Sequence, residues 1–76
     1  MVRAFIMVKT AAGTAEDLVD AIGGITDVTE AHIVAGNYDI IAEVDVEEVY
    51  DILNTVASEI RALEGVADTK TYISMG

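Results

Sequence analysis

Gly36-Asn37-Tyr38-Asp39 places a phenol, a carboxylate and exposed backbone N–H groups within four residues of one another. Gly36 can take φ > 0 without a Cβ clash, and Asn37 tolerates the left-handed region better than most residues. Gly-Asn between two apolar runs predicts a tight hairpin turn. An ordinary hairpin, with Asp39 capping its own backbone, accounts for the same residues. Other chemistry is sparse. His32 is the sole histidine and there is no cysteine, so a metal site lacks partners. As a pH sensor His32 would matter only inside an interface; otherwise it is a half-exposed strand residue. No serine or cysteine nucleophile has a base beside it, and there is no G-x-S-x-G and no phosphate loop. An enzyme on a small α+β barrel would need a polar constellation between sheet and helices, where the positions read as aliphatic. The reading is no enzyme, no cofactor and no metal.

The elements that must position these residues follow from periodicity. Val2, Ala4, Ile6 and Val8 alternate with Arg3, Phe5, Met7 and Lys9 in a first strand over 2–9. Thr14 is placed to cap a helix carrying Glu16 and Asp17 in its first turn, with Leu18, Val19 and Ile22 on one stripe. Thr14-x-x-Asp17 is close to a capping box, and Gly23-Gly24 ends the helix with a left-handed cap. The second strand spans about Val28 to Ala35, with Thr29, Ala31, Ile33 and Ala35 on one face. After the turn, Tyr38, Ile40, Ala42, Val44 and Val46 share a face. Asp45 with Glu48 reads as a second cap, opening a helix from about Val46 to Leu63. Its apolar stripe is Val46, Val49, Leu53, Val56, Ile60 and Leu63, and Gly65 closes it. The last strand runs from Val66 to Met75.

The order β-α-β-β-α-β predicts an α+β, ferredoxin-like fold: a four-stranded antiparallel sheet with two helices on one face. Phe5, Met7, Ile33, Ile41 and Ile73 are too many apolar groups to leave scattered, and some should form a patch on the uncovered face. That predicts a homodimer built by packing or extending two sheets. A chain of 76 residues is one domain, marginal alone, with self-association as the remaining support. The net charge of -10 comes from 14 acidic residues against Arg3, Lys9, Arg61 and Lys70. These bases form no stripe for phosphates, which argues against nucleic acid and against an anionic membrane surface. No stretch approaches the roughly 20 apolar residues of a bilayer span, and the expected location is cytoplasmic. The acid excess suggests an archaeal or halophilic source, and predicts a protein that salt stabilises by screening.

In this order and at this spacing, Ala31 to Val44 with Gly36-Asn37-Tyr38-Asp39 resembles the hairpin of the Lrp/AsnC regulators' C-terminal effector domain, the RAM domain, where the pattern is V-x-x-G-x-Y-D before an apolar strand. Leu63-Glu64-Gly65-Val66-Ala67-Asp68-Thr69-Lys70-Thr71 resembles that family's L-P-G-V-x-x-T-x-T segment, with Glu64 where proline is usual. The resemblance spans residues 1–76, as a single RAM-like domain without the family's helix-turn-helix. It implies dimers that assemble into octameric or decameric rings, and a small effector, usually an amino acid, bound between dimers. It also implies a modulator of transcription regulators or metabolism that does not itself touch DNA. Carried over, the ligand residues are Gly36, Asn37, Tyr38, Asp39, Thr69 and Thr71. Asp39 would take the ammonium, the N–H groups around Gly36 and Asn37 the carboxylate, and the threonine hydroxyls either. Tyr38 also suits a core or interface anchor, and the threonines suit plain strand propensity. The alternative is a ligand-free structural module that co-assembles with full-length Lrp/AsnC relatives.

Overall fold

The computed structural model describes residues 1–75. Four strands, β1 (Val2–Thr10), β2 (Val28–Ile33), β3 (Ile40–Val46) and β4 (Val66–Ile73), form one antiparallel sheet in the order β2-β3-β1-β4. Helix α1 (Ala15–Gly23) joins β1 to β2. A second helical stretch, α2, joins β3 to β4 over residues 49–61. It begins as a single α-turn (Val49–Asp51), widens into a π-helical segment (Ile52–Val56) and ends α-helical (Ala57–Arg61). This is the ferredoxin-like α+β fold.

Strict alternation in β1 and β3 makes the core. Ala4, Ile6 and Val8 face one side, opposite Val44, Ala42 and Ile40 on the neighbouring strand. All six are fully buried, together with Ile22 from α1 and Ile52, Val56 and Ile60 from α2. Phe5, Met7 and Ile41 point to the other, uncovered side and stay half-buried.

Several expectations need correction. Ile33 and Ile73 do not join the uncovered face: register pairs Ile33 with Ile40 and Ile73 with Ala4, both on the helix side. Tyr72, opposite Phe5, takes their place. Asp45 and Val46 do not open a helix. They continue the β3 alternation, Val46 enters the core, and the Asp45 carboxylate accepts a hydrogen bond from Arg3 Nε at 3.1 Å. The helix starts three residues later than expected, at Val49, and its wide π turn alters the phase of the stripe. Leu53, inside the π segment, is therefore exposed, as is Val49 in the first turn, while Ile52 and Ala57 are buried. Thr14 caps no helical N–H, so the capping box does not form; its Oγ1 donates to the Ala11 carbonyl at 2.7 Å. Gly24 ends α1 at φ −85°, without a left-handed cap. Positive φ occurs instead at Gly13, Asp27 and Gly65.

Candidate functional site

The segment between β2 and β3 is not a two-residue turn. The strands stop at Ile33 and resume at Ile40, and Gly36 lies outside the positive-φ region, contrary to expectation. The six connecting residues are tied by one bond across the connection and by others to β1 instead. Val34 N–H donates to the Asp39 carbonyl at 2.8 Å, and Asp39 N–H donates to the Val8 carbonyl at 2.9 Å. Lys9 Nζ donates to the Asn37 carbonyl at 3.1 Å. β1 thus holds the connection at Asn37 and Asp39.

Asp39 does not cap its own backbone. Its Oδ2 accepts from the Thr10 N–H at 2.8 Å and from the Thr10 hydroxyl at 3.2 Å. These bonds, the backbone one foremost, hold the carboxyl below its usual pKa, and nearby Lys9 adds to the effect. Oδ2 is therefore occupied, whereas Oδ1 has no partner among the described residues. Asp39 lines a cleft of about 490 Å³ with Thr10, Ala11–Gly13, the start of α1 (Ala15, Glu16) and Ile33. An ionised carboxylate at the edge of such a cleft can bind an ammonium group.

Gly36, Asn37 and Tyr38 line a second cleft, of about 370 Å³, on the uncovered side of the sheet with Met7, Ile41 and Tyr72. Tyr38 therefore does not share the helix-side face of Ile40, because it precedes the regular pleat of β3. A Cβ at Gly36 would meet nothing within 4 Å, so neither backbone conformation nor packing requires glycine there.

The threonines lie elsewhere in the chain. Thr69 pairs with Val8 and Thr71 with Ile6, both half-buried on the helix side of edge strand β4. Thr69 borders a hollow of about 210 Å³ with Arg61, Val66, Ala67 and Asp68. One protomer brings Gly36, Asn37 and Tyr38 together, sets Asp39 beside them facing a separate cleft, and keeps Thr69 and Thr71 apart from both. Two residues of chemical interest escaped the sequence reading. Thr10 positions Asp39 from 29 residues away. Arg61, whose Nη2 donates to Ser58 Oγ at 3.5 Å, borders the hollow that Thr69 lines, and a guanidinium is a group that can recognise a carboxylate. Neither has a local motif; only strand pairing and helix docking reveal them. His32 is exposed, with Nε2 3.1 Å from Glu30 Oε1, and this contact helps pull the Glu30 carboxyl below its ordinary range. Among the described residues there is no cluster suited to a metal ion, and no helix long and apolar enough to cross a membrane.

Residues 3–76 match the family model of the Lrp/AsnC ligand binding domain. The crystal structure of TTHA0845 from Thermus thermophilus is 30% identical with a TM-score of 0.93, covering 100% of this chain and 95% of that one. A hypothetical protein, PHS023 from Pyrococcus horikoshii, is 32% identical with a TM-score of 0.88, covering 99% and 90%. Transcriptional regulator NMB0573 from Neisseria meningitidis, crystallised as its L-Met complex, shares the fold at 20% identity and a TM-score of 0.71; this chain spans 50% of its length. No curated protein matches the sequence significantly.

Proposed function

This chain belongs to the Lrp/AsnC ligand-binding domain family, and from that premise we propose that it binds a free amino acid and couples that binding to its own assembly. The observation that carries the reading is Asp39: an ionised carboxylate, anchored by Thr10 through one oxygen, bordering a cleft of about 490 Å³. That volume lies within the roughly 300–1,000 Å³ typical of small-molecule sites. Asp39 receives the ammonium. Gly36 and Asn37 line the separate cleft on the uncovered side, so in this reading their backbone donors, unobstructed by a side chain at Gly36, meet a ligand held by a neighbouring copy. The Thr69 and Thr71 hydroxyls, with Arg61, reach the ligand from a neighbouring copy, since one protomer keeps them apart from Asp39.

Assembly completes this site. Two copies pair through the uncovered sheet face, and the dimers associate further into octameric or decameric rings. The output is modulation of transcription regulators or metabolism through protein contacts, without contact to DNA by this chain. The regulator crystallised with L-Met supports an amino acid as the effector class.

A thermal-shift panel of the twenty amino acids, at low and at molar salt, tests this. A ligand at 100 times its Kd adds about 2.7 kcal/mol, enough to raise the melting point of a small domain by several degrees. A selective upward shift is expected, and its ligand-induced part should vanish in Asp39→Ala. A flat panel in a protein that is folded and assembled contradicts the reading.

A further inference from the structure

The cleft that Asp39 borders carries a second carboxylate, Glu16 in the first turn of α1, and no basic side chain. Lys9, whose charge Asp39 feels, donates to the Asn37 carbonyl at 3.1 Å and does not line the cleft. Glu16 has no hydrogen bond or ion pair among the described residues. The helix dipole accounts for an acidic residue in a first turn, and it serves Asp17 equally. It does not account for the surface beside Glu16.

That surface is aliphatic: Ala11, Ala12 and Ala15 share the lining with Ile33. Ile33 pairs with Ile40 across the β2–β3 register, on the helix side of the sheet. Ile40 is fully buried, yet Ile33 is 49% exposed. Helix α1 packs on β2 and still leaves this side chain open. An isoleucine open to water on the helix side, between two carboxylates in one lining, is surface that a ligand's hydrocarbon can cover.

We propose that the amino acid bound here is a cationic one, with two positive groups joined by an aliphatic stem. Its α-ammonium meets Asp39, its methylenes lie along Ile33 and the alanines, and its terminal ammonium or guanidinium meets Glu16. Long basic side chains combine an apolar stem with a charged head in this way. A cleft of about 490 Å³ has room for the whole molecule. The charges balance: two carboxylates in the cleft face two cationic groups, and the ligand's own carboxylate falls to Arg61 of a neighbouring copy. An acidic amino acid would set its side-chain carboxylate against Glu16 in a chain of net charge -10, and is rejected. A neutral aliphatic one covers Ile33 but leaves Glu16 unused. The inference rests on the amino-acid reading above and specifies the side chain.

Isothermal titration calorimetry on the assembled protein, at physiological ionic strength, compares L-lysine and L-arginine with L-norleucine. Norleucine has the backbone and stem of lysine and lacks the terminal ammonium. At least one of the two bases should bind about fivefold tighter than norleucine, or more. Glu16→Gln should remove that advantage and leave norleucine within about twofold of its wild-type affinity. Glu59→Gln removes the same charge from an exposed position on α2 and should keep the preference, which separates the Glu16 pair from general attraction to an acidic chain. Ile33→Ala should weaken the base and norleucine alike. Glu16, Ile33 and Glu59 are exposed, so fold and assembly should persist, as circular dichroism and sedimentation check. Norleucine binding as tightly as both bases, a preference that survives Glu16→Gln, or binding of another amino acid without either base overturns the cationic class and leaves the amino-acid reading standing. Binding of none of the twenty amino acids overturns that reading itself.

Discussion

Two connections grip the same short loop and differ in everything else. Thr10 and Ala11 leave β1 between them: Thr10 N–H bonds the Asp39 carboxylate on one side, and Ala11 N–H bonds the Gly65 carbonyl at 2.8 Å on the other. At Gly65 the reason for glycine is structural. Its φ is +99°, and a Cβ would come within 3.2 Å of Leu18 Cδ1 and 3.3 Å of Thr14 Oγ1. At Gly36 the backbone is ordinary and the space around it is open. At Gly65 a side chain would collide with Leu18 and Thr14, although that junction also borders a cleft, of about 540 Å³. At Gly36 a side chain would meet nothing, and the neighbouring Asp39 carboxylate borders a cleft of its own, of about 490 Å³. A glycine with no conformational or packing role in its own chain fits a site that something else approaches.

That contrast can be broken or sharpened experimentally. The largest effect belongs to the packed side: Leu18→Ala empties a buried position and should cost about 2–5 kcal/mol in chemical denaturation. Gly65→Ala should follow, at about 1–3 kcal/mol, because it combines a disfavoured φ with a tight contact. Gly36→Ala should change stability by less than about 0.5 kcal/mol yet weaken amino-acid binding in calorimetry. If Gly36→Ala destabilised as much as Gly65→Ala, the contrast would be lost. A smaller effect concerns pH. The folded pKa of Asp39 lies below its unfolded value, so its contribution is present above the ordinary carboxylate range and is lost as pH falls through the folded pKa. Asp39→Asn should flatten that part of an acid-denaturation profile and leave the neutral-to-alkaline part unchanged in shape.

How far the chain can be read in advance depends on the range of the determining interactions. Period-two alternation in β1 specified both the buried trio Ala4, Ile6, Val8 and the uncovered row, because a pleat needs no distant information. At Asp45 and Val46 two local signals competed. A capping pattern argued for helix, but the alternation Ile40, Ala42, Val44, Val46 prevailed because it buries Val46 opposite Val2. The α2 stripe was misphased for a related reason: its periodicity assumed 3.6 residues per turn, and the π segment does not keep that count. At the candidate site the Gly36–Asp39 motif was visible as residue types, whereas its geometry was not. The conformation comes from Val8, Lys9 and Thr10, which reach it only through the β1–β3 pairing. Arg61 joins Thr69 in the same long-range way, where α2 docks on β4.

The most direct measurement is hydrogen exchange of the assembled protein with and without the amino acid that the thermal panel selects. The account predicts slower exchange in residues 34–39 and 10–13 when the amino acid is present, with residues 63–66 unchanged. Protection confined to 63–66, or none at a saturating concentration of every amino acid, would contradict it.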